Sequence, residues 1–562
     1  MKKQRYLDLM EKVTGAYSDS QIEAYLAQVR EKGITEHGFP RLGANLGILI
    51  ANGRMTEKLS RFLQIMELCC QQIPNPAVLP GGMGNDFSVR ELILCLLELE
   101  KSDAVSKADL CRWKAALAQI DPYKTYNVIP SVPPTAIGNW AAFNSASEQA
   151  RVYAGLAQTQ AYIENAAESQ LFSFEENGMY RDPNEPMVYD IVTRVQLATV
   201  LYLGYEGKNR DCVDGFLEKA GKLTLLMQSV TGEIPFGGRS NQFLHNEAHL
   251  AAICEYEALR YRDRGDLLTA GAFKAAARMA VEAIEKWLRE NPNHHIKNYY
   301  PIYSKMGCED YAYYDKYMVT TASFLYTAYL FAEDDIAETM CPAQSGGSHV
   351  WETGPWFHKL FCKGGSYFVE LEMAADDHYD ASGIGRIQRR GAPGPLCLAT
   401  SVSAHPNYYT GEKNPCPMSI CPGVWKDRWQ FAWDRNSSYR VITKDAVCGG
   451  TEAVWEVRLA DGTLVTQHCK VGGEGVVLTT EGEGTVGLLL PVFVFDGAEE
   501  TKVTVSDGEV RVSYHGWHCQ YITDGTITDT GLFCVNRNGK YALLRAEGTD
   551  CVTVRIKIDR ES

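Results

Sequence analysis

A chain of 562 residues, 45% hydrophobic and 22% charged, has the balance of a well-packed globular protein and is too long for one ordinary core, so two folding units are expected. Its formal charge of −15 argues against a nucleic-acid or anionic-membrane partner, since such binders neutralise phosphates with broad basic surfaces. The longest apolar runs, such as Leu92–Leu97 and Gly487–Phe495, fall far short of the roughly 18 residues that span a bilayer.

The opening MKKQRYLDLMEKVTGAYSD carries charges at Arg5, Asp8, Glu11 and Lys12 and lacks the apolar stretch of a secretory signal. Seventeen cysteines, an odd number without a CxxC pair, fit a reducing compartment. A cytoplasmic location is the expectation, and with it a substrate no longer than an imported oligosaccharide or glycoside.

From Arg5 to about Asp335, apolar residues recur with the 3.6-residue period of helices, punctuated by Gly, Pro and Asn clusters. The pattern predicts helices at 55–72, 88–101, 107–120, 139–165, 187–204, 210–228, 240–262, 267–290 and 317–332. Paired helices with hardly a strand signal between them predict an α/α toroid, an incomplete or complete (α/α)6 barrel, over residues 1–340. After about Gly346 the texture changes to short alternating segments rich in Val, Thr, Tyr and Phe, with turn pairs Asp461-Gly462, Asp507-Gly508 and Asp524-Gly525. This predicts an antiparallel β-sandwich over 345–562, giving an α+β multidomain fold whose two parts share an apolar interface.

Inner helices of a toroid point polar side chains toward one open end, so polar residues at helical spacing within apolar helices are candidates for chemistry. In NWAAFNSASEQARVYAGL, Trp140, Asn144, Glu148 and Arg151 share one helical face, which suits either a site or a solvated surface. Asp190 and Arg194 lie one turn apart in an otherwise apolar helix. They form either a helix-stabilising ion pair or a substrate clamp, with the guanidinium fork on a carboxylate and Asp190 orienting it. In TGEIPFGGRSNQFLHNEAHLAAICEYEA a Gly-rich turn delivers Arg239, Ser240 and Asn241 to a helix start, where His245, Asn246, Glu247 and His249 crowd the first turns. His245 and His249 share a face, but Glu247 lies on another and the order is not HExxH, so no metal is assigned, and no other cofactor.

The segment KNYYPIYSKMGCEDYAYYDKY holds seven tyrosines between Tyr299 and Tyr317, together with Glu309, Asp310 and Asp315. Tyrosines such as Tyr311 and Tyr314 suit a sugar platform or a general acid, and equally suit interhelix packing. In the β half, ELEMAADDHYDASGIGRIQRRGAP gathers Asp376, Asp377, His378, Tyr379, Asp380, Arg386, Arg389 and Arg390 around a small-residue turn. Those arginines offer the local basic pocket that an acidic protein needs for an anionic substrate, and Arg386 is expected at the toroid mouth.

The order of these motifs, the NW…N…E helix, GGRSNQFLHNEA, the tyrosine-rich segment and DHYDASGIGRIQRRG, resembles heparinase II/III-like carbohydrate-active enzymes over roughly residues 130–400. The resemblance takes in uronate-specific polysaccharide lyases and a hydrolase branch similar to exo-β-glucuronidases. It implies a uronic-acid-bearing oligosaccharide or glycoside as the partner. The lyases typically set an asparagine against the uronate carboxylate, with His or Tyr as base and Tyr as acid, often around an adjacent Asn-His pair. Here the order is His245-Asn246, followed by Glu247.

That reversal favours an exo-acting β-glucuronidase-type hydrolase in which Glu247 and Glu148 share acid and base roles. Arg194, Arg239 and Arg386 are its candidate carboxylate ligands, and Trp140 with Tyr311 or Tyr314 its platform. Asn144, Asn241 and His378 complete the expected binding set. The alternative is a lyase with Asn246 stabilising the enolate-like charge and His245 and Tyr314 as base and acid. A non-catalytic glycan-binding toroid is the third expectation, and a homodimer is compatible with the sequence.

Overall fold

The computed structural model describes residues 1–75, 86–126, 133, 135–290 and 294–561. Fourteen α-helices occupy the first part of the described chain. They are α1 (Gln4–Thr14), α2 (Asp19–Lys32), α3 (Gly38–Ala51), α4 (Leu59–Gln72), α5 (Val89–Leu99), α6 (Lys107–Leu117) and α7 (Pro122–Thr125). There follow α8 (Asn139–Tyr153), α9 (Gln160–Leu171), α10 (Met187–Tyr202), α11 (Arg210–Met227), α12 (Leu244–Asp263), α13 (Leu267–Glu290) and α14 (Tyr314–Phe331).

Six of these form a closed ring in which α3 packs on α5, α5 on α8, α8 on α10, α10 on α12, α12 on α14, and α14 back on α3. Their burial explains the choice. Helices α10, α12 and α14 are buried on nearly every side, as an element enclosed by neighbours must be. Helices α4, α9, α11 and α13 each pack outside an inner partner, and α1 lies against α14 and α3.

Two helix boundaries differ from the sequence expectation. The span 139–165 is two helices, because Gly155 turns left-handed at φ 70° and ends α8. The helix expected from 240 begins at Leu244, because Ser240 and Gln242 take φ values of 57° and 65°, which no α-helix contains.

The strands begin with β1 (His349–Glu352), β2 (Lys359–Gly364), β3 (Tyr367–Glu372) and β4 (Gly383–Arg389), which form a four-stranded antiparallel sheet in sequence order. The next are β5 (Pro422–Trp425), β6 (Trp429–Phe431), β7 (Ser438–Val447), β8 (Gly450–Arg458), β9 (Leu464–Gly472) and β10 (Gly475–Phe495). Last come β11 (Lys502–Ser506), β12 (Glu509–Tyr514), β13 (Trp517–Thr523), β14 (Thr526–Val535) and β15 (Lys540–Arg560). These eleven make one antiparallel sheet built on the long β10–β15 pair, whose path runs β11-β12-β13-β15-β10-β9-β8-β7.

Strands β8 and β9 alternate buried and exposed residues, the signature of a sheet covered on one face. Strands β2 and β3 are buried at every residue because the small sheet is covered twice. One face meets β8 and β9. The other meets the helices through Met179, Met187, Met227 and Val230, which pack on Phe357, Phe361 and Phe368. At about 1.5–3 kcal/mol for each large side chain removed from water, this seam fixes the sheets to one side of the ring.

Candidate active site at the mouth of the helical ring

The six inner helices enter the same cavity by their N-terminal turns. His37 and Arg41 come from the start of α3, Phe87 from the turn before α5, and Asn139, Trp140 and Phe143 from α8. Tyr189 comes from α10, His245 and His249 from α12, and Tyr317 and Thr320 from α14. Each N-terminus carries a partial positive charge, so their convergence favours an anionic group.

His245 stands at the wall of the cavity. Its ring is 4% exposed, stacks on Phe243 at 5.5 Å and meets Tyr317 edge-on at 4.9 Å. Burial holds its imidazole well below the usual histidine range, with His249, Arg41 and His295 adding to the effect. It is therefore neutral near pH 7, and its Nδ1 has no partner among the described residues. Tyr317 faces it with a phenol pushed well above 10 by burial, with Tyr189 and Glu309 adding, so it keeps its proton.

Arg41 supplies the cation. Its Nη1 donates to Thr320 Oγ1 at 2.9 Å and lies 2.8 Å from His37 Nδ1, and its Nε donates to Glu91 at 3.3 Å. Its Nη2 has no partner among the described residues. Behind the cavity wall, Asp182 accepts the backbone N–H and the Nδ2 of Asn139 at 3.2 and 2.8 Å. Asp182 also pairs with Arg239, whose guanidinium lies 4.4 Å over the Tyr189 ring.

The loop that carries Arg239 and Ser240 is strained and is held from both halves of the protein. Two non-glycine residues in left-handed conformation cost on the order of 1–3 kcal/mol each. Ser240 N–H donates to Glu309 at 2.6 Å, and Glu309 pairs with the fully buried Arg537 at 2.7 Å. Arg537 follows β14 and also donates to the Gly238 carbonyl, while Asn538 Nδ2 donates to Gln242 at 3.2 Å. With the loop so held, the Ser240 hydroxyl stands 3.3 Å from Tyr189 and 3.0 Å from Tyr311.

Asp380 secures the same loop by accepting the Gly238 N–H at 2.6 Å, and burial pushes its carboxyl up to about 7. The folded value lies above the ordinary one. The stability it contributes is therefore fully present below about pH 4 and is lost as pH rises through about 7. Asp380→Asn keeps an acceptor and removes the titration. Its Tm is expected to change less than the wild type's between about pH 5 and 8; equal slopes would show that Asp380 is not the titrating group.

Of the residues singled out in the sequence, Trp140 and His245 line the cavity, with Trp140 edge-on to Phe87 at 5.0 Å, while Arg239 and Tyr311 lie behind its wall, Arg239 on Asp182 and Tyr311 on Ser240. Glu148 is elsewhere. It is fully buried and accepts bonds from Tyr126 at 2.6 Å, from Arg151 at 2.7 Å on each oxygen, and from Thr159 at 2.6 Å. Glu247 turns away from His245 to Lys297 Nζ at 2.9 Å and the Ile234 N–H at 3.4 Å. The two carboxyl groups thus belong to separate buried networks and share no cleft.

The arginine assignments change for the same reason. Arg194 and Asp190 form a buried pair at 2.6 Å that also bonds Thr224 and the Tyr180 N–H, tying α10 to α11. Arg386 crosses to the ring as expected, yet its guanidinium is wholly buried against the Ile234 carbonyl at 2.6 Å, the Ala399 carbonyl at 3.0 Å and Glu370 at 3.4 Å. It is a strut between the two halves and is closed to a ligand.

Asn144 and Asn246 are buried within the ring and do not line the cavity. Asn241 shapes the turn by donating to the Pro235 carbonyl at 3.1 Å. Tyr314 stacks on Tyr17 at 5.7 Å, one helical turn from the Tyr317 that reaches the cavity. His378 is 58% exposed and bonds Asp376 at 2.6 Å. His37, Arg41 and Tyr189 escaped the sequence reading. Arg41 and Asn45, four apart in the apolar GFPRLGANLGILIA of α3, are the signal that would have found the first two.

An α/α ring gathering the N-termini of its inner helices at one cavity, backed by antiparallel sheets that brace the neighbouring loop, is the class of protein defined here. The sequence matches no protein-family model and no curated protein. Among solved structures it is similar to a Streptomyces coelicolor A3 chondroitin AC lyase determined with chondroitin sulphate, at 12% identity and TM-score 0.47, covering 98% of this chain and 82% of that one. It is also similar to a heparinase III, at 11% identity and TM-score 0.38, covering 98% and 92%. A glycosyl hydrolase family 88 protein from Bacteroides vulgatus aligns at 12% identity and TM-score 0.36, over 59% of this chain and 99% of that one.

Proposed function

We propose that this protein is a carbohydrate-active enzyme that cleaves uronic-acid-containing oligosaccharides by β-elimination. One observation carries the proposal: the cavity pairs a neutral, buried imidazole with a protonated phenol 4.9 Å away, ring to ring, and has no carboxylate among its described lining residues. Hydrolysis by a carboxyl pair needs two such groups about 5–9.5 Å apart across the bond, and neither Glu148 nor Glu247 is available for that role.

In this mechanism the uronate carboxylate sits against Arg41 and the helix N-termini, which stabilise the charge that develops as the C5 proton leaves. His245 takes that proton. Tyr317 donates its phenolic proton to the departing glycosidic oxygen, and a double bond forms between C4 and C5 of the uronate. Asn139, held by Asp182, offers its amide beside the carboxylate, and Trp140 lines the sugar's path. The division of the chain into a catalytic part at 1–340 and a β part at 345–562 fits a loop braced from both sides. The seventeen cysteines all stand as thiols, which supports a reducing, cytoplasmic setting, and no described helix is long and apolar enough to cross a membrane.

Elimination leaves a conjugated unsaturated uronate, and hydrolysis does not. Ultraviolet absorbance of that product is expected to rise with wild-type enzyme on a chondroitin or heparan-type oligosaccharide. Tyr317→Phe should lower the rate by about 10²-fold or more with the fold unchanged by circular dichroism. New reducing ends without the absorbance would sink elimination.

A further inference from the structure

A second cavity, of about 500 Å³, lies outside the ring between the C-terminal half of α13, the 390–395 loop and the β12–β13 hairpin. One wall is aromatic: Trp287 and Tyr299 stand 5.4 Å apart at 41°, and His515 meets Tyr299 edge-on at 6.0 Å. Its charges are unevenly satisfied. Glu285 is taken by Arg5, Glu282 by Arg278, and Glu233 by Lys297 and Gln388, while Glu290 accepts the Tyr299 hydroxyl at 2.6 Å.

The cations differ. Among the described residues, the side chain of Lys286 reaches only the Ala392 carbonyl at 3.3 Å, and that of Arg390 only the carbonyls of Ala343 and Ser345 at 2.9 and 3.2 Å. Neither of these, nor Arg289, has an ion-pair partner among the described residues. These three cations outnumber Glu290, the carboxylate of the cavity that likewise has no ion pair among the described residues, and in a protein of net charge −15 that local surplus draws anions.

We propose that this cavity is a second saccharide-binding site, separate from the ring, for one acidic sugar unit. The carboxylate or sulfate ester lies against Lys286 and Arg390 and the sugar's apolar face against Trp287. Rings splayed at 41° cannot sandwich a flat base, whereas a puckered pyranose needs a single apolar face. The choice of sugar as ligand rests on the function proposed above. The site would hold the far end of a longer chain, or a product, while the ring cavity reacts.

The test is calorimetric titration of the intact His245→Ala protein, in which turnover is expected to be about 10²–10⁴-fold slower, with a size-defined sulfated uronate oligosaccharide. Two sites per chain are expected, and raising the salt should weaken the second. Adding Lys286→Gln and Arg390→Gln, or Arg390→Gln alone, should weaken that site by about 10-fold or more and leave turnover of a disaccharide intact in an otherwise wild-type enzyme. No binding, a single site in the parent protein, or two sites of unchanged affinity in a folded Arg390→Gln variant overturns the proposal. Two sites with the expected losses, in an enzyme that forms no unsaturated product, would uphold this cavity and refute elimination alone.

Discussion

Replacing His245 with alanine is expected to lower the rate of elimination by about 10²–10⁴-fold while leaving the fold intact. The magnitude is that of a positioned general base. The fold should survive because the described structure gives the Nδ1 no bond to lose and because the ring sits at a cavity wall. Burial keeps the imidazole neutral well below its usual range, so kcat/KM of the wild type should stay level from about pH 8 to 6 and fall only on stronger acidification. An acid limb centred near 6.5 would mean that a more exposed group controls the rate. Glu148→Gln and Glu247→Gln serve as contrasts. Both remove buried charges that satisfy Arg151 and Lys297, so they should lower Tm before they touch the chemistry.

Arg537→Ala is expected to cost about 3–5 kcal/mol of stability and most of the activity, although Arg537 does not line the ring cavity. The guanidinium is 2% exposed, pairs with Glu309 at 2.7 Å and lies 4.0 Å over Tyr408. Its loss leaves Glu309 buried without its charge partner. The strained Ser240 turn hangs from that same Glu309, so the hydroxyl between Tyr189 and Tyr311 should lose its place. The double variant Arg537→Met with Glu309→Gln separates the two effects. It removes both charges and retains an acceptor for the Ser240 N–H, so Tm should largely recover. Activity should stay low, because the Gly238 carbonyl still lacks its donor. Full recovery of both would make Arg537 a stability residue only.

Much of the architecture was already written in the order of residues. The 3.6-residue period up to α14 and the period-two alternation of β8, β9 and β12 follow from which faces must be buried, a property local enough to read from a window of sequence. The tyrosine-rich segment and the GGRSNQFLHNEA turn announced themselves by density, and both supply cavity residues. Spacing along one helix was a weaker guide to role. Asn144, Glu148 and Arg194 sit at site-like intervals, yet every side of an inner helix is buried, so a polar residue there faces either the cavity or a neighbouring helix. Which of the two it faces depends on how far along the axis it lies. His245 falls at the open end, while Glu148 falls two turns deeper, where Arg151 and Tyr126 claim it.

Only the tertiary structure decided the cation and the brace. The sequence contains 55 Lys and Arg residues, and nothing in a one-dimensional reading ranks Arg41 above Arg194 or Arg386. Packing ranks them: each keeps one guanidinium nitrogen without a partner among the described residues, but Arg194 and Arg386 are enclosed away from the ring cavity by their carboxylate and carbonyl partners, while Arg41 lines it. Arg537 lies 228 positions from Glu309, a separation across which no local pattern operates. The β part therefore reaches the candidate active site through a charge pair that exists only once the sheets have docked on the ring.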